Sequence, residues 1–223
     1  MTRVHDMGGR FGDGAIDPGD DAIFAKEWHG RALALNLAVG ALGKWNIDVS
    51  RHARERLSPR DYSQFSYYEK WLAGLTDLMV QYEVVSEAEL IAGVGADAPA
   101  LGSLCLKAEA VASVLASGGP SERPSEIAPV FDVGDLVQTR RPARNQKVEG
   151  GHTRLPAYAA GVVGRVALYH GTHVLPDASA HGLGDQPEPL YAVAFPAASV
   201  WGVAENPRDE VVLDLWQSYL VPV

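Results

Sequence analysis

The chain carries one cysteine, Cys105, in 223 residues. A single thiol cannot form an internal disulfide, and it cannot build a cysteine-rich metal site. One reduced cysteine suits a reducing compartment. Long apolar runs are missing as well: nothing approaches the roughly 20 residues that a membrane-spanning helix needs. The opening stretch MTRVHDMGGRFGDG has no apolar leader core. These absences give the expectation of a soluble, cytoplasmic chain with no membrane partner. Positive charge is scarce, with 19 Lys and Arg against 28 Asp and Glu and a formal charge of −9. Binding to nucleic acid needs cations clustered against phosphates. The arginines do cluster in two places, Arg51, Arg54, Arg56 and Arg60, then Arg140, Arg141 and Arg144. No aromatic stacking motif accompanies the second cluster, so no nucleic-acid partner is expected. Several motifs are absent too: there is no Gly-x-Ser-x-Gly elbow, no HExxH and no phosphate-cradling Gly-rich loop with its Lys.

What is present divides the chain in two. Apolar residues make up 47% of the total, enough for a packed core. Residues 1–20 hold five of the 23 glycines and show no apolar periodicity, so they read as an extended arm. Residues 21–116 read as a helical region. Its first helix begins at the acids of DDAIFAKEWHGRALALNLAVGAL, and its later part is apolar on most faces, which implies burial on several sides. WNIDVSRHARERL is a short helix. Ser58-Pro59 then caps a long one, PRDYSQFSYYEKWLAGLTDLMVQYEVV, with apolar residues spaced by three and four. Ser86 and Glu89 form a capping box that opens a further helix, and residues 100–116 read as another. Residues 117–130 have the composition of a linker. From 131 to 223 the period changes to that of short strands, DLVQTR, GVVGRVALYHG, LYAVAFP and EVVLDLW, as in a small antiparallel barrel. The fold class is therefore α+β.

Candidate chemistry centres on GGHTRLPAY, residues 150–158, a loop that presents His152 and Arg154 nearly side by side. The pair suits acid–base work, anion binding or docking of a partner, and taken alone it also reads as an ordinary polar surface loop. His170 and His173 have a weak ligand spacing and read as strand-end residues. Cys105, among Leu101, Leu104 and Leu106 on the expected helix, reads as a small buried hydrophobe. Tyr67 and Tyr68 cannot share one face of a helix, so one of them points toward a pocket or a partner while Trp71 continues the aromatic stripe. No self-contained active site emerges, and the pattern is that of a binding or structural subunit.

Several dispersed motifs resemble those of the nitrile hydratase β subunit, in type and in order. They are VHDMGGRFGDGAI, FAKEWHGR, SRHARERLSPRDY and SYYEKWL, then FDVGDLV, GHTRLPAY, YHGTHVLPDASAHGLGD, PLYAVAF and VLDLWQSYL. The resemblance implies an SH3-like barrel for the C-terminal region. It also implies an obligate heterodimer with an α subunit, paired again into an α2β2 tetramer, that hydrates a small-molecule nitrile to an amide. The iron(III) or cobalt(III) ion would sit in a Cys-x-x-Cys-Ser-Cys loop of the α subunit with some of its cysteines oxidised, so no metal ligand is expected in this chain. The resemblance further implies that Arg51 and Arg154 contact the oxidised cysteine oxygens and that Glu55 and His152 orient them. Ile47, Tyr67 and Trp71 would line the substrate pocket. Lys70, Asn36 and Ser50 depart from the family pattern there and bear on which nitriles fit. A thiocyanate hydrolase-related subunit and a non-catalytic, activator-like scaffold on the same barrel are the alternatives.

Overall fold

The computed structural model describes residues 4–6, 8, 17–95 and 101–223. The chain forms two compact units, Gly14–Gly119, and Met1–Asp13 with Pro120–Val223. Most of the expected arm, residues 1–20, lies outside the described residues.

The first unit holds six helices among its described residues: α1 (Glu27–Gly40), α2 (Ile47–Glu55), α3 (Pro59–Gln64), α4 (Tyr67–Gln81), α5 (Glu87–Ala92) and α6 (Val111–Ser117). Helix α1 starts at Glu27, not at the acids of residues 20 and 21. Asp20 bonds locally instead, its Oδ1 accepting from Ala22 N at 3.2 Å, just as Asp17 Oδ1 accepts from Gly19 N at 2.9 Å. Such local bonds compete with helix formation. Nor is α1 enclosed on several sides within the chain, since it buries His29 and Ala32 and leaves Leu35 exposed. The long helix expected from residue 59 is two helices. Phe65 takes an extended conformation (φ −71°, ψ 136°), and Ser66 and Glu69 form a capping box that restarts the chain as α4. Residues 100–116 are not one helix either. Within 101–117, 3-10 turns at Gly102–Leu104 and Ala108–Ala110 precede the short α6, which has no side-chain cap. Gly102 and Ser103 are weak helix formers. Cys105 therefore lies on extended backbone and is exposed rather than buried.

Helices α2 and α4 pack closely because α4 offers Gly74 at the crossing. A Cβ there would stand 2.9 Å from Arg54 Cγ and 3.3 Å from the Arg54 backbone nitrogen. Asn46 caps α2, its Oδ1 accepting from Asp48 N at 3.0 Å and Val49 N at 2.9 Å.

The second unit is built on one antiparallel sheet of β1 (Leu136–Thr139), β2 (Val163–His173), β3 (Glu188–Pro196), β4 (Glu210–Trp216) and β5 (Leu220–Pro222), in the order β4-β3-β2-β1-β5. Strand β3 is buried on both faces, and Tyr191, Val193 and Phe195 pack with Val137, Val166, Leu215 and Tyr219 in the core. Irregularities between Val166 and Leu168 and between Tyr169 and Thr172 bend β2. Among the described residues β4 and β5 do not pair with each other, so the sheet is open where a closed barrel was expected. Two short helices, α7 (Pro176–Ser179) and α8 (Ala197–Trp201), fill the connections. Part of the linker-like segment lies along the end of β2: Arg123 N donates to Thr172 O at 3.0 Å, Val174 N to Ser121 O at 2.9 Å, and Ser125 Oγ to Pro187 O at 2.5 Å.

Candidate functional site

The helical unit carries the expected residues on α2 and α4. Ile47, Arg51 and Glu55 are spaced by four along α2, and Tyr67 and Trp71 by four along α4, so each set shares a face. Ile47 and Tyr67 are largely exposed, at 64% and 63%. The Tyr67 and Trp71 rings lie 5.5 Å apart. Tyr68 turns the other way, against Phe24, Trp28 and His29, which leaves Tyr67 as the outward member of the pair. Arg51 Nη1 donates to Asp48 Oδ1 at 2.8 Å, and Asp48 is buried at the start of the same helix. This bond fixes one edge of the guanidinium and leaves the rest of a planar fork for an outside acceptor. Glu55 Oε2 lies 3.5 Å from His52 Nδ1.

Arg54, named in the sequence only as a member of the first arginine cluster, reaches across from α2 to Trp71 of α4. Its guanidinium carbon stands 4.6 Å from the centre of the Trp71 ring, and its Nε donates to Ser50 O at 3.1 Å. Burial lowers its pKa, with the positive charge of Arg51 acting the same way, while Tyr67 and Glu55 oppose the shift. A cation over an indole face is favoured by the ring quadrupole, so Arg54 holds the Trp71 ring in place from α2. Lys70 Nζ sits 4.4 Å from the centre of the Tyr62 ring. Asn36 donates to Ala32 O within α1, at 2.9 Å.

The sheet unit places the 150–158 loop over its core. His152 is buried, at 1% exposure, while Arg154 is exposed. The loop backbone is held at several points. Asn145 Nδ2 donates to His152 O at 2.6 Å and Asp177 O at 2.9 Å, His152 N donates to His181 Nε2 at 2.9 Å, and Arg154 N donates to Tyr219 OH at 3.2 Å. Tyr219 OH in turn donates to Asp177 Oδ1. Gly151 is required here, because a Cβ would come 2.6 Å from His181 Nε2 and 2.7 Å from Asn145 Nδ2. Burial raises the Asp177 carboxyl from 3.8 to about 6, against the opposing hydrogen bond from Tyr219, the charge of His152 and the bond from Thr153. Burial also pushes the Tyr219 hydroxyl well up, and Asp177 adds to that. Asp177 and His181 lie within the motif YHGTHVLPDASAHGLGD and Tyr219 within VLDLWQSYL, but no role was expected of them or of Asn145, and it is the fold that joins them to the Arg154 loop. His170 Nε2 pairs with Asp214 Oδ1 at 2.9 Å, and His173 Nδ1 lies 3.0 Å from Ser121 Oγ. Among the described residues no three His, Cys, Asp or Glu are placed to hold a metal ion. No described helix is long and apolar enough to cross a membrane.

The helical unit therefore offers a half-buried guanidinium, Arg51, beside an aromatic pair, the sheet unit an exposed one, Arg154, on a backbone-anchored loop, and among the described residues there is no set of metal ligands. Two family models match the chain, "Nitrile hydratase beta subunit, N-terminal" over residues 1–115 and "Nitrile hydratase beta subunit, C-terminal" over residues 120–222. The chain belongs to the nitrile hydratase β-subunit family. It is 33% identical to the nitrile hydratase subunit β of Pseudomonas putida over 226 residues, covering all of both chains. It is 32% identical to that of a Rhodococcus species over 232 residues, covering all of this chain and 97% of the relative. The low-molecular weight cobalt-containing nitrile hydratase subunit β of Rhodococcus rhodochrous is 31% identical over 229 residues, with both chains covered throughout. Among solved structures, a recombinant apo-enzyme of thiocyanate hydrolase from Thiobacillus thioparus matches 53% of this chain and 98% of its own, with 17% identity and a TM-score of 0.38; that likeness carries nothing further. Together the two family models cover both units of the chain.

Proposed function

We propose that this chain is the non-metal-binding subunit of a nitrile hydratase, acting with an α subunit that holds an iron(III) or cobalt(III) ion. The ion would supply Lewis acidity toward the nitrile. The residues of this chain would surround it, with Arg51 and Arg154 donating to the oxidised cysteine oxygens of the α subunit. Such oxygens are buried anions, costly unless charge-assisted donors meet them. Arginine suits the task because it stays protonated in a dry interface and presents a planar fork. Glu55 and His152 would orient that network, and Ile47, Tyr67 and Trp71 would form the apolar wall that positions the nitrile. The observation that carries this reading is the placement of Arg154: an exposed guanidinium on a loop whose backbone is bonded to Asn145, His181 and Tyr219. A loop fixed in this way can hold an external anion at a set distance. The C-terminal sheet is read as an SH3-like barrel on the strength of its four-strand meander and of β5, which returns beside β1. The assembly is read as an αβ heterodimer that pairs into α2β2.

The test is co-expression with a chain bearing a Cys-x-x-Cys-Ser-Cys loop. The complex should contain iron or cobalt by elemental analysis and convert a nitrile to its amide, while the purified chain alone should do neither. Stoichiometric metal on the isolated chain, or a complex that releases no amide, would overturn the assignment.

A further inference from the structure

At the end of β1, lined by residues on both sides of the 150–158 loop in sequence, lies an open cleft of about 410 Å³; its walls include Gln138, Arg140, Arg141, Arg144, Gln146 and Gly161. No Asp or Glu lines it. Three arginines facing one concavity are unusual in a chain with a formal charge of −9. Among the described residues none of the three has a carboxylate partner, although arginines elsewhere in the unit do, as in Arg123–Asp185 and Arg165–Glu210.

Two of the guanidinium groups are held from behind. Arg140 Nε donates to Ser218 O at 2.7 Å, which fixes its plane and leaves both terminal nitrogens to the cleft. The stem of Arg141 lies against Gly161, where a Cβ would stand 3.3 Å from Arg141 Cδ and where the backbone takes φ +76°. Gln138 Nε2 donates to Gly161 O at 3.1 Å, which ties the cleft floor to β1. Like charges gathered without acids repel one another, and a bound anion removes that repulsion. Arginine forks match the paired oxygens of phosphate in two-point contacts. The volume lies within the usual range for small-molecule sites.

We infer that this cleft binds a phosphate-type oxyanion, either free or carried on a small phosphomonoester. Its ligand is not the nitrile, and the site does not depend on the proposed metal chemistry.

The experiment is calorimetric titration of the full chain, alone and in the assembled complex, with inorganic phosphate and separately with glycerol phosphate, at ionic strength matched by chloride. The expected result is saturable binding in both preparations, weakened about tenfold or more in the Arg141→Gln/Arg144→Gln double variant. Arg60→Gln, an exposed arginine of the other unit, should bind like the parent. Tighter binding of glycerol phosphate would assign the ligand to a phosphomonoester, and equal binding to the free anion. Melting temperatures in phosphate-free buffer check that the exposed substitutions leave the fold intact. Heat no greater than that of chloride, or affinity unchanged in the double variant, would overturn the inference. Binding by the free chain that vanishes in the complex would also overturn it, since the cleft would then belong to the subunit interface.

Discussion

Asp177→Asn isolates the cost of the carboxyl buried beneath the Arg154 loop. Burial raises Asp177 from 3.8 to about 6 even though Tyr219, Thr153 and His152 all favour its ionised form. Below about pH 4 the carboxyl is neutral in both the folded and the unfolded chain, and it imposes no penalty. As pH rises past that point the unfolded chain ionises while the folded chain holds its proton until about pH 6. Folding stability is therefore lost across this window, and the loss persists above it. The shift corresponds to about 3 kcal/mol, taken as an order of magnitude. Asparagine keeps an oxygen to accept from the Tyr219 hydroxyl and has no charge to desolvate. The assay is urea unfolding of the wild-type and Asp177→Asn chains at pH values between about 4 and about 7, read as the difference between the two so that all other titrating groups cancel. That difference should move in favour of asparagine by up to about 3 kcal/mol as pH rises. A difference that stays flat, or that moves in favour of aspartate, would refute the reasoning. It would mean that the hydrogen bonds and His152, rather than desolvation, set the state of Asp177.

Tyr219→Phe removes both the donor to Asp177 and the acceptor of the Arg154 N–H, and leaving buried polar groups unpaired should cost about 1–3 kcal/mol in chemical unfolding. Gly74→Ala should lower the melting temperature despite alanine's better helix propensity, because the new methyl meets Arg54 at the α2–α4 crossing and overpacking of this kind costs about 1–3 kcal/mol. Gly40→Ala at the end of α1, where a Cβ meets nothing within 4 Å, is the control and should not lower it.

The two-part organisation was legible because apolar spacing changes from three-and-four to two on either side of the Pro- and Ser-rich stretch after residue 117. Helix α5 was legible because Ser86 and Glu89 announce it. The break before α4 carries the same signature in Ser66 and Glu69, but the apolar spacing from Phe65 through Leu72 runs straight across it and masks the restart. Strand β5 has three residues, too few to show a period. Arg51, Arg154, Tyr67 and Trp71 were named from motif resemblance, and their roles remain proposals. The sequence could not point to the role of Arg54, whose place over Trp71 depends on how closely Gly74 lets two helices approach. Asp177 and Tyr219 are 42 residues apart in sequence and meet only because the β-sheet closes the loop over them.

The central claim is that Arg51 and Arg154 hold anionic oxygens at a partner's metal site. The most direct test compares Arg51→Lys, Arg154→Lys and Arg60→Lys in the reconstituted αβ complex, measuring amide formation and the optical absorption of the metal centre. Lysine keeps the charge and loses the planar fork. Loss of one charge-assisted bond to a buried anion costs roughly 1.5–3 kcal/mol, about one to two decades in rate if the bond acts in the transition state. The account predicts that the Arg51 and Arg154 variants assemble normally, lose activity on that scale and shift the absorption, while Arg60→Lys, on an exposed residue of α3, changes neither. If all three variants retain parental activity and absorption, the proposed contacts do not exist and GGHTRLPAY is an ordinary surface loop.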